Sequence, residues 1–174
     1  MINTKQDDVI SLFKKYKPKA LKTIQGKRMG LSLQEIGSGV FREVYEIKGA
    51  KLVVKIPRGK AGIKHSKDEY KAQQAILKDK KYEILHKYMP EILYYDAAKG
   101  IIVMPKYTII DNCGYRTKQY KMAQSMSFLM FDLLKVVWHN YKGSIDMHEG
   151  NIGLNQDGEP VLLDMGYLYG ANNV

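Results

Sequence analysis

A lysine stands inside the apolar run LVVKIP, Leu52 to Pro57. Short runs of this kind, rich in Val and Ile and ended by Pro, form strands. Two neighbours repeat the pattern. LSLQEI and VFREVYEI precede it, and the breaks between the three runs fall at GSG and KGA. The three runs therefore predict a meander of antiparallel strands. Inside such a strand, Lys55 needs a route to solvent or an anionic partner. A lysine on an edge strand meets the first condition, and a lysine that holds phosphate meets the second.

The rest of the chain adds elements around this meander. Lys64 to about Leu77 predicts a helix, with Ser66 as N-cap and Glu69 three residues on as its capping-box partner. EILYYD and GIIVMP predict two further strands split by AAKG, and a loop with Asn112 and Gly114 follows. A long helix is expected from about Thr117 to Tyr141, with Met122, Met126, Leu129, Leu133 and Val137 along one stripe. NIGLNQDGEPVLLD predicts a hairpin turned at Gln156-Asp157-Gly158. Near the start, Val9, Ile10, Leu12, Phe13 and Tyr16 predict an amphipathic helix over 7–24, interrupted near Pro18.

Several polar residues on these elements could carry chemistry. Gly37-Ser38-Gly39 lies between two strands, where it is either a plain turn or a loop whose free amides bind phosphate. Glu69 is either a capping residue or the carboxylate that holds Lys55. SIDMHEGN, Ser144 to Asn151, places Asp146, His148 and Asn151 in one polar stretch, and Asp164 follows in the apolar run VLLDMG. An Asp at the end of a buried strand is costly unless it is paired or binds a cation. Asn151 and Asp164 at the base of a hairpin could ligate Mg²⁺, and Asp146 could accept a proton from an attacking hydroxyl. As single residues, the same Asp and Asn also suit an ordinary hairpin.

In series, Gly-x-Gly-x-x-x-x-Val, Val-Val-Lys, a helical Glu, Asp-x-His-x-x-Asn and Asp-x-Gly resemble the protein-kinase-like superfamily over roughly residues 31–166. The loop DMHEGN is similar to that of the aminoglycoside phosphotransferases and lipopolysaccharide kinases. The resemblance implies an α+β, two-lobe fold. Its N-lobe has a five-stranded antiparallel sheet with one helix, and its C-lobe is strongly reduced and mostly helical. It implies one domain over 1–174, with a basic helical extension (1–30), an N-lobe (31–107) and a truncated C-lobe (108–174). It implies ATP and Mg²⁺ as cofactors. Gly37, Ser38 and Gly39 would cover the phosphates, and Ile36, Val44 and Val53 would line the nucleotide site. Lys55 would bind the α- and β-phosphates, held by Glu69. Met104, Pro105 and Tyr107 would form the hinge beside adenine, with a carbonyl from Pro105 and an N–H from Tyr107. Asp146 would be the catalytic base, and Asn151 and Asp164 would hold the metal.

The chain also departs from that pattern. Arg42 replaces the third loop glycine, Ser144-Ile145 replaces the His-Arg before the catalytic Asp, and only YLYGANNV follows Gly166. The far face of the long helix therefore needs a cover. The N-terminal helix, a second copy in a homodimer, or a partner in a heteromeric complex would supply one. The expected function is a minimal kinase that phosphorylates Ser or Thr hydroxyls of a protein. The alternative is a pseudokinase that binds nucleotide or protein and regulates a partner.

Composition narrows the classes further. The net charge of +10, with 26% charged and 45% hydrophobic residues, describes a basic globular chain. Seven cations from Lys14 to Arg28 meet no acid, and Lys78 to Tyr82 adds a second cluster; such a surface is either a solvated face or one that attracts phosphates, nucleic acid or an acidic protein partner. No zinc spacing, RNA-binding signature or helix-turn-helix pattern accompanies the charge, so nucleic acid is not the expected partner. MINTKQDDV lacks the apolar core of a signal peptide, no run of about 18 apolar residues could span a membrane, and Cys113 is the single cysteine. These features predict a cytoplasmic protein without a membrane partner.

Overall fold

The computed structural model describes residues 33–110 and 149–164, together with Ser11 and Lys121. The expected helices over 7–24 and 117–141, the loop at Asn112 and Gly114, and Asp146 lie outside these residues.

The described part is α+β. Its elements run β1 (Leu33–Ser38), β2 (Arg42–Ile47), β3 (Leu52–Pro57), α1 (Gly59–Lys78), a 3₁₀ turn (Lys80–Tyr82), α2 (Glu83–His86), β4 (Tyr94–Asp96), β5 (Ile101–Pro105) and β6 (Thr108–Ile109). A 3₁₀ turn (Glu149–Asn151), β7 (Ile152–Leu154) and β8 (Pro160–Leu162) follow. No helix among the described residues is long and apolar enough to cross a membrane.

The chain divides into two compact units. The first takes residues 1–67 and 91–106, and the second takes 68–90 and 107–174. In the first unit, five strands form one sheet in the order β1-β2-β3-β5-β4, and every neighbouring pair is antiparallel. This is the predicted five-stranded sheet. Its two faces follow from the strand register, because successive side chains alternate and cross-strand partners share a face. Ile47, Leu52, Val54, Ile56, Ile101 and Val103 form the buried core cluster on one face, with Leu33, Tyr45, Ala50, Leu93 and Tyr94 packed against it. The other face carries Val44, Val53, Lys55, Ile102 and Met104. The register pairs Val44 with Lys55, Lys55 with Ile102, and Val53 with Met104.

All six residues of β3 are buried, which explains why its sequence reads as continuously apolar. The β4–β5 connection is closed by Asp96, whose Oδ1 accepts from the amides of Ala98 at 3.0 Å and Lys99 at 2.9 Å. Lys99 Nζ lies 2.8 Å from Asp96 Oδ2. Burial alone would raise the Asp96 carboxyl, but its bonds to Lys99 and Ala98 outweigh burial and hold it below the usual carboxylate range.

The predicted capping box does not form. α1 begins at Gly59, so Ser66 and Glu69 fall inside the helix, where both are buried. The reason lies just upstream. Gly59 adopts φ of +64°, which turns the chain directly from β3 into the helix. Gly62 then comes so close to the loop after β1 that a Cβ there would lie 2.1 Å from the Phe41 carbonyl oxygen. The helix is thus placed by a glycine turn and a close approach, and no side-chain cap is required at Ser66.

In the second unit, β6, β7 and β8 form a three-stranded antiparallel sheet. The β7–β8 hairpin turns where the sequence predicts. Asn155 Oδ1 accepts from the amides of Asp157 at 3.0 Å and Glu159 at 2.8 Å. Asn and Asp commonly tie turns in this way. The Leu162 amide donates to the Tyr88 carbonyl at 2.9 Å, joining β8 to the segment after α2. Gln73 of α1 donates to the Pro90 carbonyl, and His86 Nε2 lies 2.9 Å from the Ile76 carbonyl. These bonds satisfy polar groups around a core that includes Ile76, Leu85 and Tyr88.

Candidate functional site

The sequence-predicted residues fall into two groups, one in each unit. In the first unit, the strand register gathers most of them onto one face. Gly37 pairs with Val44, Val44 with Lys55, and Val53 with Met104. A Cβ on Gly37 would meet Val44 Cβ at 3.8 Å, an ordinary contact. Gly37, Val44, Val53, Lys55 and Met104 therefore lie together opposite the core cluster. Lys55 is only 5% exposed, so this face carries a buried cation. Arg42 is also buried and occupies the register position two residues before Val44, on the same face.

The glycine loop has a defined geometry. A β-bulge lies between Glu35 and Gly37, and it leaves Ile36 47% exposed. The loop closes through the Gly39 amide, which donates to the Arg42 carbonyl at 2.9 Å. Val40 at its tip is 83% exposed. Arg58 Nη2 donates to Ser38 Oγ at 2.6 Å, Nη1 to the Gly39 carbonyl at 2.9 Å, and Nε to Glu43 Oε1 at 3.0 Å. Tyr45 extends the chain by donating its hydroxyl to Glu43 Oε2 at 3.0 Å. Burial, then the hydrogen bond to Glu43 and the charge of that carboxylate, push the Tyr45 hydroxyl up to about 12. Phe41 stacks on His65 of α1 with ring centroids 4.8 Å apart.

The expected hinge follows β5. Met104 is buried in the ladder, Pro105 ends the strand opposite Leu52, and the Lys106 amide donates to the Lys51 carbonyl at 2.8 Å. β4 pairs with β5 only as far as Val103. The Leu93 amide extends this contact by donating to the Val103 carbonyl at 2.9 Å. Tyr107, which follows Lys106 in sequence, is half-buried.

In the second unit, the β7–β8 hairpin brings two predicted metal ligands to one end. Ile152 pairs with Leu162, and the Leu163 amide donates to the Asn151 carbonyl at 2.7 Å. Asn151 therefore faces Leu163 across the base of the hairpin, with Asp164 next in sequence. The carboxylate oxygens of Glu69 and Asp164 lie within 4.8 Å of one another. Two carboxylates at this separation suit a hard divalent cation, which takes one or two carboxylates plus phosphate and water. Lys55, Glu69, Asn151 and Asp164 each also take part in an interaction within the chain.

Sequence reasoning missed Arg58 and the nearness of Glu69 to Asp164. Arg58 had a local signal. It follows β3 directly, and its amide donates to the Phe41 carbonyl at 2.7 Å, one step beyond the last ladder pair. Glu69 and Asp164 meet through the fold, and nothing in their spacing foretells it. No protein-family model matches the chain, and no curated protein matches it.

Proposed function

We propose that this protein is an ATP- and Mg²⁺-dependent phosphotransferase with a kinase-like architecture, acting on Ser or Thr hydroxyls of an acidic protein in the cytoplasm. The observation that carries the proposal is the shared sheet face. Gly37, Val44, Val53, Lys55 and Met104 belong to motifs scattered over the sequence, and the register puts them on one side of one sheet. A lysine amine on that face suits charge-assisted hydrogen bonds to an anionic ligand. The meeting of Asn151 and Asp164 at one hairpin end is independent support.

On this reading Lys55 holds the α- and β-phosphates, and the amides around Gly37 to Gly39 cover them. Met104 to Tyr107 contact adenine. Asn151 and Asp164 would hold Mg²⁺, which would supply neutralisation of the phosphate charge. Asp146 accepts the hydroxyl proton as the acceptor oxygen bonds to the γ-phosphorus and the bond to the ADP oxygen breaks. The chain's contribution is mainly positioning and fixed charge. The net charge of +10 suits docking to an acidic partner.

The test is transfer of label from γ-labelled ATP, with Mg²⁺ and a mixed protein extract, by the wild type and by Asp146→Ala. Labelled protein that disappears with Asp146→Ala is the expected result. A folded wild type that binds ATP but transfers no label contradicts the enzyme reading and leaves a pseudokinase.

A further inference from the structure

The glycine loop is fastened from the side of the sheet away from Lys55. Ser38 pairs with Glu43, and Glu43 with Ile56, so these positions share the face of the core cluster. Gly37 pairs with Val44 and belongs to the opposite face. Arg58 links the two ends of this hairpin corner. Its guanidinium donates to Ser38 Oγ, to the Gly39 carbonyl and to Glu43 Oε1, while its own amide donates to the Phe41 carbonyl. One residue thus holds a side chain and a carbonyl before the loop tip, a carbonyl after it, and the strand that follows.

We infer that Arg58 is a positioning residue for phosphate recognition: from behind the sheet, it holds the backbone of Ser38 and Gly39 in the shape that meets the nucleotide phosphates. The inference rests on the nucleotide reading given above. Three features argue for it. First, the planar fork of an arginine reaches three acceptors at once, which a lysine ammonium on a flexible stem does not match. Second, the loop it fixes is closed by a turn bond from Gly39 to Arg42, and its tip residue Val40 is exposed. A glycine loop loses affinity to the cost of ordering its backbone when a phosphate binds, and fixing its shape beforehand reduces that cost. Third, the Arg58 side chain remains 40% exposed beside Glu43, so burial of apolar area does not account for its place. An exposed ion pair of this kind adds little to global stability. Its consequence is local geometry.

The experiment is equilibrium binding of MgATP and of adenosine to the wild-type chain, Arg58→Ala, Arg58→Lys and Glu43→Ala, with a melting curve for each. Adenosine reports the base-binding part of the site and carries no phosphate. Arg58→Ala is expected to weaken MgATP about tenfold, with adenosine affinity unchanged. Arg58→Lys should behave like Arg58→Ala, since one ammonium cannot span the three acceptors. Glu43→Ala removes one anchor of the guanidinium and should weaken MgATP in the same direction by less. Equal loss for both ligands, or no loss for either, overturns the positioning role. A wild type that binds neither ligand overturns the nucleotide reading itself, and that arm separates the two failures.

Discussion

The two faces of the five-stranded sheet share a backbone but differ in what their side chains demand. One face packs Ile47, Leu52, Val54, Ile56, Ile101 and Val103 into a dry cluster. Every one of these residues is explained by burial of apolar surface. The opposite face uses the same strands and is no more exposed at β3, yet it holds Lys55 at 5% exposure. Burial disfavours a charged amine unless it is paired, and Lys55 takes part in an interaction within the chain. One face thus asks only for apolar burial, while the other also holds a charge.

Substitutions can break this comparison. The largest effect on stability is expected from Ile56→Ala on the cluster face. Removing its buried methylenes should cost about 2–5 kcal/mol, read as a lowered denaturation midpoint with an unchanged slope. A loss below about 0.5 kcal/mol would mean that this face is not the core. Next comes Gly62→Ala, where a Cβ would sit 2.1 Å from the Phe41 carbonyl oxygen and 3.0 Å from Pro57 Cβ. Relieving that overlap should cost about 1–3 kcal/mol and displace the loop that Phe41 ends. An alanine tolerated there without loss would show that α1 does not approach the loop so closely.

The smallest effect belongs to the rim of the cluster face. Asp96 has a lowered pKa in the folded chain, so its contribution is present above the unfolded carboxylate pKa and is lost as pH falls through the folded value. Asp96→Asn keeps an oxygen for the amides of Ala98 and Lys99 but gives up the ion pair to Lys99 Nζ. The variant should therefore differ from the wild type near neutral pH by about 0.5–1 kcal/mol and converge with it in acid. A constant difference across that range would remove the ion pair as the cause.

Much of this architecture is legible in the sequence, and the reasons are local. β2 and β3 are marked by β-branched runs bounded by Gly and Pro, and the hairpin at Asn155 to Glu159 is marked by turn residues. The start of α1 was misread because Ser66 and Glu69 match a capping box by spacing, while Gly59, a turn residue after Pro57, set the true start. β6 was not foreseen, because two residues leave no periodicity to detect. At the candidate site, identity was legible and company was not. Lys55 and Asp164 each stand out as charges in apolar runs. Only the fold places Glu69 near Asp164 and Arg58 behind the glycine loop.

The most direct measurement compares Lys55→Met with the wild type in two assays, thermal melting and equilibrium binding of MgATP. The account predicts that Lys55→Met, whose side chain fills similar volume, still gives one cooperative melting transition, together with a loss of MgATP affinity of at least about tenfold. MgATP binding that survives Lys55→Met in a folded chain, or a wild type that does not bind MgATP, would contradict the claim that this face of the sheet serves a nucleotide.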